Sequence, residues 1–140
     1  MIVVLDTNVI ISALLSPSGP PAEIINRWEA GQIEVVTSPP LLAALERALR
    51  YPRLKRYLRR SPDDGAAFIE RLRRVAAVVE SQPTLEVIEE DPADNRVLEC
   101  AVAGGASYIV TGNDPLLKIE KYREIIILRP AEFLTLLDLL

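Results

Sequence analysis

A single ionisable residue, Asp6, interrupts an apolar run at the start of the chain. The residues before it, Ile2 to Leu5, are β-branched or leucine and are typical of a strand buried on both faces. A helical pattern follows, with apolar residues at Val9, Ile10, Ala13 and Leu14. A buried strand that passes directly into a helix indicates an α/β fold with a parallel sheet. Asp6 then lies at the carboxyl end of a strand, which is where such sheets bind ligands.

The junction formed by Asp6, Thr7 and Asn8 allows two interpretations. Each of these residue types can cap a helix, because its side chain accepts a hydrogen bond from a free backbone N–H group. Alternatively, Asp6 belongs to a functional site, because burying a carboxylate is strongly unfavourable unless a partner neutralises it. The local sequence leaves both interpretations open.

Strand and helix patterns alternate along the rest of the chain. Strands are predicted at 33–37, 107–111 and 125–128, with a short extended piece at 84–88. Helices are predicted at 22–30, from 38 to Pro52, at 53–60, from a cap at 62–64 to about Val79, between Asp94 and Gly104, and from Pro130 to Leu137. This alternation predicts one α/β domain over residues 1–140 with a mainly parallel sheet.

The composition excludes several classes of active site. The chain has no histidine and only one cysteine, Cys100, so it cannot form a Ser-His-Asp site, a Cys-His site or a zinc site with His and Cys ligands. Cys100 lies in an apolar helical pattern and is predicted to be a core thiol. An enzyme of this composition works with carboxylates, hydroxyls, amides and cations.

Hydropathy predicts no membrane segment. No apolar run approaches the ~18 residues of a membrane span, and the N-terminus lacks a basic segment ahead of its apolar stretch. We therefore expect a soluble, cytoplasmic protein with no membrane partner.

Positive charge is concentrated in one part of an acidic chain, whose formal net charge is −4. Ten of the 16 basic residues lie between positions 47 and 74. Such a block can contact nucleic-acid phosphates, and it can also be simply a solvated helix face. The candidate nucleic-acid contacts are Arg47, Arg50, Arg53, Lys55 and Arg56.

The predicted strand at 107–111 ends in the same types of polar side chain as the first strand. Hydroxyl, amide and acid groups follow one another there at Thr111, Asn113 and Asp114. Asp91 and Asp94 precede the helix that leads into this strand. Because the carboxyl ends of parallel strands share one edge of the sheet, several carboxylates are expected to converge. Each acid could instead be a separate cap or turn residue.

Converging carboxylates repel each other unless a cation neutralises them. Ligand sets made only of oxygen select a hard ion, so this arrangement predicts Mg²⁺ or Mn²⁺. Such an ion suits phosphodiester hydrolysis, because it activates water and stabilises the leaving oxygen. Neither Gly-x-x-x-x-Gly-Lys-Ser/Thr nor Gly-x-Gly-x-x-Gly is present, which argues against a P-loop or a dinucleotide-binding fold.

Four segments carry a resemblance when taken together. They are Leu-Asp-Thr-Asn-Val-Ile-Ile-Ser-Ala-Leu at 5–14, Asp-Pro-Ala-Asp-Asn-Arg-Val-Leu-Glu-Cys-Ala at 91–101, Ala-Ser-Tyr-Ile-Val-Thr-Gly-Asn-Asp at 106–114 and Pro-Ala-Glu-Phe-Leu at 130–134. The chain resembles the PIN domain, and most closely its VapC-like branch, the toxin components of type II toxin–antitoxin systems. The resemblance implies a three-layer α/β/α fold with a central, mainly parallel five-stranded sheet. It also implies a Mg²⁺- or Mn²⁺-dependent ribonuclease, a homodimer, and an antitoxin protein that blocks the site.

The resemblance also implies roles for individual residues. The first acid of the family falls on Asp6 and the third on Asp94. The final position falls on Asn113, where the family commonly has aspartate, and Asp114 beside it is a candidate substitute. The supporting residues are Thr7, Asn8 and Thr111.

The second acid of the family does not align with an acid in this chain. The family carries a glutamate on the helix after the second strand, and the aligned residue here is Ala44. Glu46 is the nearest acid. Two positions along a helix differ by about 200° at ~100° per residue, so Glu46 cannot simply replace an inward-facing residue 44. Either the register is shifted or one ligand is missing.

Three hypotheses follow from these observations. In the first, the chain is an active nuclease with Asp6, Asp94 and Asp114 as catalytic and metal-binding acids, supplemented by Asn113 and by Asp91 or Glu46 as ligands. In the second, it is a degenerate PIN fold that binds RNA or a protein partner without cleavage. In the third, it is a structural or dimerisation module whose acidic residues are helix caps.

Overall fold

The computed structural model describes residues 1–57, 64–80, 84–89 and 91–140, and within these it describes all side chains except those of residues 55–57, 64 and 65. In chain order the elements are β1 (Ile2–Leu5), α1 (Thr7–Leu15), α2 (Pro20–Glu29), β2 (Glu34–Thr37), α3 (Pro39–Leu49), α4 (Pro52–Tyr57), α5 (Asp64–Val75), β3 (Ala77–Val78), a 3₁₀ turn (Pro92–Asp94), α6 (Asn95–Gly104), β4 (Tyr108–Val110), α7 (Asp114–Leu117), β5 (Lys121–Tyr122), β6 (Ile125–Leu128) and α8 (Pro130–Leu139). The predicted α/β class is confirmed.

The sheet has the strand order β3-β2-β1-β4-β6-β5. The first five strands in this order pair in parallel, and β5 pairs antiparallel with β6. The expectation of five strands is therefore corrected to six, since the short β5 adds an antiparallel edge. Strand β1 is central, and its Val4 is in register with Val36 of β2 and Ile109 of β4. The strand order reverses between β1 and β4, which is where open α/β sheets form binding sites.

Helices cover both faces of the sheet and give the expected three layers. On one face, Val3 and Leu5 of β1 pack with apolar residues from α1, α2, α3, α5 and α8. On the other face, Val4 packs with apolar residues from α6 and α7. Adjacent residues of β1 therefore contribute to opposite cores, as the continuous apolar run of a strand buried on both faces predicts. Among the described residues, no helix is long and apolar enough to span a membrane.

Two predicted elements differ from the structure. The helix predicted to reach about Val79 ends at Val75, and Ala77–Val78 forms β3. The chain becomes extended there because it can pair with the open edge of β2, where the Val79 N–H donates to the Thr37 carbonyl at 2.9 Å. The segment predicted as extended at 84–88 forms no strand, and side chains of α6 bind its backbone instead. Residues 58–60 of the predicted 53–60 helix and residues 62 and 63 of the predicted cap lie outside the described residues.

Candidate functional site

Asp6 occupies the junction between β1 and α1 and has two roles there. Its Oδ1 accepts a hydrogen bond from the Thr7 N–H at 2.7 Å, which caps α1. Its Oδ2 accepts a hydrogen bond from Thr111 Oγ1 at 2.7 Å. The side chain is only 5% exposed. The capping interpretation and the functional interpretation of Asp6 are therefore compatible, because each uses a different carboxylate oxygen.

Thr111 connects the end of β4 to Asp6. It is fully buried, and its N–H donates to the Leu128 carbonyl at 3.0 Å. Its hydroxyl donates to Asp6 and accepts a hydrogen bond from the Asn113 N–H at 3.0 Å. Thr111 thus holds the Asp6 carboxylate and the loop after β4 in one fixed arrangement.

Asp94 approaches Asp6 from the 3₁₀ turn that precedes α6. The side chain is 5% exposed, and its Oδ1 accepts a hydrogen bond from Asn113 Nδ2 at 3.2 Å. Its Oδ2 is buried without a hydrogen-bond partner among the described residues. Such a buried, unpartnered acceptor is unfavourable unless another group satisfies it.

Asn113 joins the two acids. Its Nδ2 donates to Asp6 Oδ2 at 3.1 Å and to Asp94 Oδ1 at 3.2 Å, while its Oδ1 accepts from Asn8 Nδ2 at 2.8 Å. Together, Asp6, Asp94, Thr111 and Asn113 form a compact group that we call the acidic cluster. It lies where the strand order reverses between β1 and β4.

Burial dominates the electrostatics of the acidic cluster. It raises the pKa of Asp6, although the hydrogen bonds from Thr111 and Thr7 oppose this effect. Burial, together with the negative charges of Asp6 and Asp91, raises the pKa of Asp94 to about 6, although the hydrogen bond from Asn113 opposes this effect. Asp91 caps the 3₁₀ turn by accepting from the Ala93 N–H at 3.1 Å, and it is exposed at the rim of the acidic cluster. A cation near these carboxylates would favour their charged forms.

Asp114 and Glu46 are turned toward other partners. The Asp114 carboxylate is 78% exposed and lies 3.8 Å from Arg129 Nη2. Glu46 forms an ion pair with Arg73 and lines a groove of about 400 Å³ between α3 and β3. Within the described residues, no group of three or more His, Cys, Asp or Glu side chains could hold a metal ion. The convergence of three or four carboxylates expected from the sequence is thus reduced to two buried acids with Asp91 nearby.

Ala44 lies on α3, which packs against both α1 and α6, the two helices that begin beside the acidic cluster. Its methyl group is partly buried and offers no ligand atom. Leu41, Leu42 and Leu45 are the buried residues of this helix.

The sequence analysis did not identify two polar residues, Asn95 and Glu99, that hold the backbone of residues 85–88. Asn95 is 3% exposed, and its Oδ1 accepts from the N–H groups of Val87 and Ile88 at 2.9 and 2.8 Å. Glu99 is also buried and accepts from the Leu85 N–H at 2.9 Å. Their spacing of four residues places them on one face of a largely apolar helix, which is the sequence signal that could have revealed them.

The candidate nucleic-acid residues are only partly described. Arg47, Arg50 and Arg53 are exposed on α3 and α4, whereas the side chains of Lys55 and Arg56 lie outside the described part of the structure. Two other arginines of the basic block are used in ion pairs, Arg71 with Glu29 and Arg73 with Glu46. The block is therefore not one continuous free surface.

Comparison with known proteins assigns the family. Residues 2–114 match the family model described as the PIN domain. An uncharacterised protein of Methanocaldococcus jannaschii, MJ1680, is 29% identical over 117 residues, which cover 84% of this chain and 74% of that protein. The fold is similar to a chain in the crystal structure of VapBC2 from Rickettsia felis bound to a DNA fragment from their promoter, with a TM-score of 0.60 and 14% identity over 91% of this chain and 97% of that one. Because the family model covers most of the chain, including every residue of the acidic cluster, the chain belongs to the PIN domain family.

Proposed function

We propose that residues 1–140 act as one cytoplasmic endoribonuclease unit that depends on Mg²⁺ or Mn²⁺ and serves as the toxin component of a type II toxin–antitoxin system. The observation that carries the proposal is the pair of buried carboxylates, Asp6 and Asp94, which meet where the strand order reverses. Membership of the PIN family supports phosphodiester hydrolysis as the reaction.

The donor set fits a divalent ion. Asp6 Oδ2 and Asp94 Oδ1 both lie within 3.2 Å of the same nitrogen, and Asp94 Oδ2 is a buried acceptor that lacks a partner among the described residues. Asp6 and Asp94 would hold the ion, with waters and a substrate phosphate at its other positions, as is usual for Mg²⁺. When bound, the ion would supply an activated water and neutralise charge on the phosphate.

The chain's own residues prepare the acids for this role. Thr111 and the Thr7 N–H fix the orientation of the Asp6 carboxylate. Asp91 contributes negative charge at the exposed rim, which favours approach of a cation. We assign no ligand role to Asp114 or Glu46, because their carboxylates pair with Arg129 and Arg73.

The exposed side chains of Arg47, Arg50 and Arg53 are the proposed contacts to RNA phosphates. The likeness of the fold to a VapBC2 chain supports an antitoxin as protein partner. We also propose that the protein forms a homodimer, as the family resemblance implies.

A PIN fold that binds RNA or a partner without cleavage is the second candidate function. Ala44 supplies no ligand. Asn113 stands where the family commonly has aspartate, and its Nδ2 already donates hydrogen bonds to both Asp6 and Asp94. These observations favour binding without chemistry.

Cleavage of a mixed RNA pool separates the two functions. We expect the purified protein to cut RNA with Mn²⁺ or Mg²⁺ and to be inactive in EDTA. Asp6→Asn removes a charged ligand while keeping the helix cap, and it should lower the rate by about 100-fold or more. Asp138→Asn, at an exposed pair with Arg27, is the matched control and should cut normally. A wild-type protein that binds RNA but cuts none of it would establish the second function instead.

A further inference from the structure

The two acids of the acidic cluster are held together by an amide group. An amide NH₂ has two hydrogens, and Asn113 directs one to Asp6 Oδ2 and the other to Asp94 Oδ1. Both donors of this group are therefore used between two carboxylates. The partial positive charge of the NH₂ group therefore lies between these two carboxylate oxygens.

The orientation of this amide is set by a chain of directed hydrogen bonds. The Gly112 N–H donates to Asn8 Oδ1 at 3.4 Å, and Asn8 Nδ2 donates to Asn113 Oδ1 at 2.8 Å. A backbone N–H can only donate, so it favours the Asn8 orientation in which Nδ2 faces Asn113. That orientation in turn directs Nδ2 of Asn113 toward the acids.

A divalent ion held by Asp6 and Asp94 would compete with Asn113 for two of their oxygens, and only Asp94 Oδ2 is left without a partner among the described residues. Asp6 Oδ2 already accepts from Thr111 and from Asn113, and Asp94 Oδ1 accepts from Asn113. A cation held by these carboxylates would repel the partially positive NH₂ group and would take acceptor positions that Asn113 now fills. If the amide turned over, its carbonyl oxygen would face the ion, but the hydrogen bond from Asn8 opposes this rotation.

We propose that Asn113, held in place by Asn8, is a positioning residue that links Asp6 and Asp94 in the metal-free protein and competes with a divalent cation for them. Asn113 and Asn8 thereby lower the metal affinity of the acidic cluster. This inference rests on the proposed function to the extent that Asp6 and Asp94 form the metal site.

Mn²⁺ affinity measured by isothermal titration calorimetry on the full chain tests the inference. Asn113→Ala removes the competing hydrogen bonds to charged acceptors without adding a ligand, and we expect it to bind Mn²⁺ about tenfold more tightly than the wild type. Asn113→Asp also adds a carboxylate and should bind more tightly still. Asn8→Ala removes the hydrogen bond that holds the Asn113 carbonyl away from the acids and should tighten binding by about tenfold. Asn26→Asp, on the exposed surface of α2, is the charge-matched control and should bind as the wild type does.

Thermal melting in EDTA and in Mn²⁺ provides a second readout for the same variants. Without metal, Asn113→Asp brings three carboxylates together and should lower Tm, whereas Mn²⁺ should restore it. Weaker or unchanged Mn²⁺ binding by both Asn113→Ala and Asn8→Ala would overturn the inference. That result would identify the Asn113 side chain as a helper of metal binding or as a structural residue only.

RNA cleavage by the wild type reports on the proposed function separately. Wild-type cleavage together with unchanged affinities in the variants would retain the nuclease and reject the role of Asn113. A wild type without cleavage, combined with tighter Mn²⁺ binding in the Asn113 and Asn8 variants, would reject the nuclease and retain that role. If no variant binds Mn²⁺, both proposals fail.

Discussion

At the scale of single residues, the ionisation of Asp94 controls the negative charge that the acidic cluster can offer to a metal ion. Burial and the charges of Asp6 and Asp91 raise its pKa to about 6, and no hydrogen bond from the described residues satisfies its Oδ2. Protons and metal ions therefore compete for the same carboxylate. Metal binding should strengthen as the pH rises through about 6, since the charged form of Asp94 then becomes available.

The raised pKa of Asp94 also predicts that, in EDTA, its contribution to stability falls as the pH rises. The folded-state pKa of Asp94 lies above the unfolded value of 3.8, so the folded protein binds the proton more tightly than the unfolded chain does. The contribution of Asp94 to stability is full below pH 3.8 and is lost as the pH rises through about 6. The raised pKa of Asp6 acts in the same direction.

Melting temperatures measured between pH 5 and pH 8 in EDTA check this prediction. Other groups also titrate over this range, so the comparison is between the wild type and Asp94→Asn, which cannot ionise. Relative to the variant, the wild type should lose stability toward pH 8, and Mn²⁺ should reduce the difference. Parallel curves for the two proteins would show that Asp94 does not titrate in this range.

At the scale of elements, α6 holds the segment of residues 85–88 that leads to Asp94. Asn95 and Glu99 bind the backbone of residues 85–88, and Asn95 Nδ2 also donates to the carbonyls of Ile88 and Pro92 at 3.0 and 3.2 Å. These contacts join the irregular segment before the 3₁₀ turn to the helix after it. Asp94 lies between the two and is positioned by both.

Asn95→Ala should therefore destabilise the protein. The substitution leaves the buried N–H group of Ile88 and the partly buried N–H group of Val87 without their acceptor, and an unsatisfied buried donor costs about 1–3 kcal/mol. Urea denaturation monitored by circular dichroism measures the loss. Asn26→Ala on the exposed surface of α2 is the matched control, with an expected change within about 0.5 kcal/mol. Equal stability of the two variants would mean that the Asn95 contacts do not hold the loop.

At the scale of the whole molecule, the topology brings distant parts of the chain to one edge of the sheet. Asp6 follows β1, Asn113 follows β4, and Asp94 precedes α6, which packs across β1, β2 and β4. Helix α3 packs against both α1 and α6. This placement is suited to a further ligand from α3, but Ala44 supplies only a methyl group.

Ala44→Glu should restore such a ligand if Ala44 occupies the family position. We expect the variant to bind Mn²⁺ about tenfold more tightly and to cut RNA faster than the wild type. Ala43→Glu, one position away on the same helix, is the control and should show neither gain. If Ala44→Glu has no effect and Glu46→Ala abolishes activity, the ligand is Glu46 and the alignment is shifted by two residues.

The sequence alone was sufficient to predict the alternation of strands and helices and the position of Asp6. These features depend on local spacing. Apolar residues that recur every three to four positions indicate a helix face, and those that alternate indicate a strand face. The parallel-sheet argument predicted that Asp6 and Asp94 would converge, and the resemblance to the PIN domain assigned them to the first and third acids of the family. The same local patterns misplaced β3, because its formation depends on the edge of β2, some forty residues earlier in the chain.

Only the tertiary structure decided which groups meet at the acidic cluster. Asn113, rather than the charged Asp114 beside it, contacts both acids, and Glu46 forms an ion pair with Arg73. The hydrogen bonds of Asp6 to Thr111 and Asn113 span 105 and 107 residues, and no local pattern carries information across such separations. Burial likewise depends on the packing of α6 and the sheet around the acids, and it is burial that raises the pKa of Asp94.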